Sequence, residues 1–111
     1  MPVSLTLYWR ALRQPADDFT VFVHLLGPAG DVVAQADSQP RANQYPTSIW
    51  DAGEQIGDMY KLALPADLPG GDYRLQVGMY RLATGERLPA QRANGEVWPD
   101  NAVLLKTYHV P

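Results

Sequence analysis

Hydrophobic residues recur at every second position through most of this chain. "VSLTLYWRAL" (3–12) sets Val3, Leu5, Leu7 and Trp9 on one side and Ser4, Thr6, Tyr8 and Arg10 on the other. Period 2 is the spacing of a half-buried strand. "FTVFVHLL" (19–26) carries bulk on both parities, which marks a central strand covered on both faces. "VVAQAD" (32–37), "QIGDMYKLAL" (55–64), "YRLQVGMYRL" (73–82) and "NAVLLKTYHV" (101–110) read the same way. A weak edge strand is expected around Leu88, where Pro89 suits an edge. No window sustains helical spacing. Ten prolines and nine glycines punctuate the strands. About seven short antiparallel strands in one domain (1–111) predict an all-β, immunoglobulin-like two-sheet sandwich.

"LPGGDYRL" sharpens that expectation. Tyr73 stands at a strand start, two residues before the core position Leu75. In immunoglobulin-like domains a tyrosine there turns its hydroxyl onto upstream backbone, and Leu75 would replace the disulfide cysteine. Tyr73 as a plain β-former at a strand entrance is the competing reading. Parity places Leu5, Leu7, Trp9, Val21, Val23, Ile56, Leu62, Tyr73, Leu75, Val77 and Leu105 in the core. Asp58 shares the parity of Ile56 and Leu62, so it should turn inward. There an unpaired carboxylate is costly, and His24, an arginine or loop N–H groups should bond it.

Composition narrows the chemistry. The net charge is −3 and no basic stripe exists, so nucleic acid is excluded as a partner. With no cysteine there is no disulfide framework, thiolate metal site or thiol nucleophile. "TVFVHLL" is far too short to span a membrane, so the fragment itself does not insert. The two histidines, His24 and His109, neighbour no glycine-framed serine. No aspartate run has calcium-loop spacing; Asp17, Asp18, Asp31, Asp37, Asp51 and Asp100 sit near turns, where aspartate caps backbone N–H groups. The expectation is no enzyme and no cofactor.

The blocks "LTLYWRAL", "DFTVFVHLLGPAGDVVAQADSQP", "YPTSIWDAGEQIGDMYKLALP", "GGDYRLQVGMYRLATGERLP" and "LLKTYHV" together resemble an uncharacterised bacterial module. It is a β-sandwich at the C-terminal, extracytoplasmic end of membrane glycosyltransferases of the dolichyl-phosphate-mannose protein mannosyltransferase type. The resemblance runs over residues 3–110. It implies a domain excised from a larger membrane protein, as the abrupt strand-like ends also suggest. It implies an extracytoplasmic location and an accessory role, and assigns chemistry to no residue.

Two functions remain open. One is weak carbohydrate binding, since pyranose faces stack on aromatic rings beside planar polar groups. Tyr45 and Trp98 are the aromatic candidates, with Arg41, Asn94 and Asp100 as polar partners, all in the loops 38–54 and 92–101. Trp50 reads either as a plug over the core or as part of that platform. An open platform buries little of a ligand, so affinity should be on the order of millimolar to tens of micromolar. The other function is a structural protein–protein interaction module, through the parent chain or self-association. Aromatics exposed in a row would favour the first. An apolar patch or an unprotected strand edge would favour the second.

Overall fold

The structure, a computed structural model, describes residues 2–111. It is all-β, with six strands: β1 (Pro2–Arg10), β2 (Thr20–Leu26), β3 (Val32–Ser38), β4 (Gln55–Ala63), β5 (Gly71–Tyr80) and β6 (Val103–Val110). Single 3₁₀ turns at Thr47–Ile49 and Pro99–Asn101 interrupt the two long loops. One sheet pairs β1 with β4; the other runs β3-β2-β5-β6; every pairing is antiparallel. This order matches the B–E and C′–C–F–G strands of an immunoglobulin-type sandwich. The strand expected around Leu88 does not form. Leu88 N–H bonds Met79 O and an isolated bridge joins Tyr80 to Arg87, but Pro89 has no N–H with which to continue the ladder.

The core lies between the sheets. Val21, Val23, Ile56, Leu62, Tyr73, Leu75, Val77 and Leu7 are buried there, as parity requires. Three core expectations need correction. Leu5 and Trp9 are half-buried, because β1 has no neighbour on its outer edge. Leu105 is 45% exposed. The ladder slips between Leu75 and Gln76, which face Lys106 and Leu104, so Leu105 is the extra residue of a bulge. Beyond the bulge the parity of β6 is inverted, and Lys106, Tyr108 and Val110 take the inner side.

β2 is covered on both faces. Phe22 is buried on the outer face, where the Arg87 guanidinium stands 4.2 Å from its ring centroid. Gly78 faces the same ring: a Cβ there would fall 2.4 Å from Phe22 Cε2. Only glycine leaves room for the ring against β5.

Tyr73 forms the corner expected of it. Its hydroxyl donates to Pro69 O, four residues upstream, at 2.5 Å. This bond fixes the chain's entry into β5 while the ring fills the core. Tyr73→Phe keeps the ring and orphans one carbonyl, so it should cost about 0.5–1.5 kcal/mol in urea unfolding, with the m value unchanged. No measurable loss would mean that water replaces the hydroxyl.

Candidate functional site

The strand registers bring three connections to one end of the sandwich. Arg10 pairs with Gln55, Thr20 with Tyr80 and Val21 with Ser38, so loops 11–19, 39–54 and 81–102 leave from neighbouring strand ends. They enclose a cleft of about 630 Å³ whose walls include Arg13, Phe19, Trp50, Met79 and Arg81. Leu12 stands 89% exposed beside it.

The 39–54 loop is anchored by Asp58. This β4 carboxylate is fully buried and accepts three hydrogen bonds: Trp9 Nε1–H at 3.1 Å, Tyr60 O–H at 2.6 Å and Arg41 N–H at 2.7 Å. Burial and the bond to Asp58 push the Tyr60 phenol well above its ordinary range. The loop N–H is one of the partners expected; His24 is not among them. Arg41, Ala42 and Asn43 all have left-handed φ values of 53, 53 and 68°. Such backbone costs on the order of 1 kcal/mol or more per non-glycine residue and persists only where its surroundings hold it. Here Asn43 Oδ1 accepts Gln39 N–H, Asn43 N–H reaches Gln39 O, and Asp58 holds Arg41 N–H.

That turn presents Arg41 and Tyr45 together. The Arg41 guanidinium donates through Nε to Gly57 O and lies 5.3 Å from the Tyr45 ring centroid. The Tyr45 ring stacks at 6.5 Å on Trp50, and its hydroxyl donates to Glu54 Oε2 at 2.6 Å. This bond, helped by Asp51 N–H, holds the Glu54 carboxyl below its usual range and raises the Tyr45 phenol. Trp50 is buried against Ala11 and Ile56, and its indole N–H donates to Tyr45 O. It is placed as a plug.

The other three candidates lie apart, in the loop between β5 and β6. Trp98 is half-buried, with the Arg92 guanidinium 4.1 Å from its ring centroid. Asn94 caps a tight turn: its Oδ1 accepts Glu96 N–H and its Nδ2 donates to Glu96 Oε1. Asp100 has φ 57° and its carbonyl accepts from Arg87 Nη1. Among the described residues no hydrogen bond or ring contact joins this group to Arg41 and Tyr45. Both aromatics therefore already carry an arginine against a ring. In loop 11–19, Asp17 Oδ1 accepts Asp18 N–H while its Oδ2 pairs with Arg81, and Asp18 Oδ1 accepts Ser48 N–H from the 39–54 loop.

His24 pairs with Asp37, 3.4 Å away on β3, and packs on Phe22 with ring centroids 5.0 Å apart. Burial lowers its pKa below the ordinary 6.5, and Arg87 adds to the effect, while Asp37 opposes it. The unfolded chain therefore binds the proton more readily than the folded one. Stability is complete above pH 6.5 and declines as the pH falls through the depressed folded value. NMR titration of the His24 ring should give a midpoint below 6.5, and His24→Gln should flatten stability over that window. A midpoint at or above 6.5 would mean that Asp37 dominates.

β3 lies against β4 and closes one flank of the sandwich. On the other flank, β1 and β6 are both free edges. Between them runs a groove of about 590 Å³, walled by Leu5, Leu7, Trp9, Leu75, Val77 and Tyr108. Lys106 stands over it on the inner side of β6, its Nζ 4.9 Å from the Tyr108 ring, with no carboxylate in ion-pair range among the described residues. Sequence reasoning missed this flank. The available signal was an edge strand whose apolar face, Val3 to Trp9, is as long as that of a central one.

No family model, no curated protein and no solved structure matches this chain.

Proposed function

We propose that this domain works without catalysis, as an extracytoplasmic accessory unit whose contact is with protein. It would belong to a membrane glycosyltransferase of the type its sequence resembles. The observation that carries this reading is the open flank: two unpaired strand edges with an apolar groove between them. Natural sandwiches cover or blunt such edges unless something binds there. The aromatic pattern also favours protein over sugar. Among the exposed large apolar side chains of the described residues, Tyr8 is the one aromatic, at 72%. Tyr45 and Trp98 have guanidinium groups where a pyranose would stack.

A weak glycan platform is the second reading, favoured by the gathering of three loops at one end and by the Arg41–Tyr45 and Arg92–Trp98 pairs. A chemical-shift titration with short mannose- and glucose-containing oligosaccharides separates the two. The protein-contact reading expects no shifts above noise at millimolar sugar. Shifts clustered on residues 41–50 and 92–101 would overturn it in favour of the platform.

A further inference from the structure

An edge strand beside an apolar groove makes two separate demands on whatever covers it. Every second residue of β1 directs its N–H and C=O away from β4, and these groups need partners spaced as another strand spaces them. The groove behind that edge needs apolar side chains entering from one face of the same element. A strand meets both demands, because its side chains alternate while its backbone pairs. In the immunoglobulin arrangement the strand corresponding to β1 has a further strand, A, on this side. None of the six strands occupies that place.

We propose that the flank between β1 and β6 receives an extended segment of another polypeptide, laid as a strand beside β1. Its apolar side chains, at alternate positions, enter the groove, and a carboxylate among them meets Lys106. This rests on the protein-contact reading above and names the kind of partner. Charge selects an acidic segment. Lys106 stands over the groove, and Arg13 lies in the cleft that continues it past Trp9. No Asp or Glu lines either, in a chain whose net charge is −3. A second copy does not fit the site. Its own β1 could pair edge to edge, but the Leu7 of that strand is already packed in its own core, with Leu5 and Trp9 against it. The groove would stay empty.

The test uses the 111-residue chain, isotope-labelled, with synthetic nine-residue peptides matched to the length of β1. One peptide alternates valine and threonine, with a glutamate replacing one valine; a second has lysine at that place. A third has the first peptide's composition with the alternation scrambled. The alternating glutamate peptide should shift residues 3–9 and 103–108 and slow exchange of alternate β1 amides at least about tenfold. Lys106→Glu should weaken that peptide about five- to tenfold and reverse the preference toward the lysine peptide. Equal protection by the scrambled peptide would overturn the proposal, as would shifts confined to 11–16 and 47–50 with β1 exchange unchanged. A free domain that is dimeric by sedimentation, with β1 already protected, would overturn it in favour of a second copy. No protection by any peptide would defeat the strand proposal alone, because the protein-contact reading answers separately to the sugar titration.

Discussion

Replacing Asp58 with alanine should cost about 3–5 kcal/mol of stability. The substitution orphans three donors at once: the Trp9 indole, the Tyr60 hydroxyl and the Arg41 amide. Each buried donor left without a partner costs roughly 1–3 kcal/mol, and bonds to a carboxylate are the stronger kind. Asp58→Asn should cost less, about 2 kcal/mol, because its amide oxygen can still accept from two donors. Its NH₂ group would then face the third. The damage should spread beyond β4. Arg41 N–H holds the left-handed turn 41–43, and that turn carries Tyr45 against Trp50. Chemical shifts at Arg41, Tyr45 and Trp50 should therefore move together in both variants. A loss under about 1 kcal/mol for Asp58→Ala would show that water enters and serves all three donors.

The second large effect tests the register. Leu75 is buried on β5 and packs in the main core cluster. Leu75→Ala removes that packing and leaves a cavity, at about 2–5 kcal/mol. Leu105 lies on the bulge of β6, 45% exposed and outside the buried core cluster, and Leu105→Ala should stay within about 0.5 kcal/mol. The pair is informative because simple alternation puts both leucines in the core. Equal losses would mean that the bulge between Leu75 and Gln76 is absent.

Those two leucines also show what the sequence could reveal. Alternation located the buried residues of β2, β4 and β5, where the β1–β4 register runs without a slip from Ile56 to Leu62 and the β2–β5 register from Arg74 to Tyr80. It failed at Leu105 because a bulge inverts parity, and one inserted residue leaves no compositional mark. It overstated Leu5 and Trp9 because alternation reports which face is apolar, not whether a neighbouring strand covers it. The inward turn of Asp58 was legible from parity. Its partners were not, since Trp9 lies 49 positions away and Arg41 offers its amide from a left-handed turn that contains no glycine. The Tyr73 corner was one of two readings its local spacing to the strand start and to Leu75 allowed, and the hydroxyl's bond to Pro69 O decides for it. The five candidates for sugar contact were chosen by residue type and loop. Type and loop do not foretell that Asn94 caps its own turn or that Arg41 and Arg92 lie on the neighbouring rings.

The open flank is tested most directly by native-state hydrogen exchange on the free domain, residue by residue. Along β1, every second amide bonds β4 and the rest face outward. The outward set should exchange within a few tens-fold of the rate for unprotected amides, while amides of β2 and β5 approach the protection of global unfolding. The alternation should stop at Arg10, where β1 ends. If every amide from Val3 to Trp9 were as protected as those of β2 in a monomeric sample, the β1 edge would already be paired and no strand-accepting flank would exist.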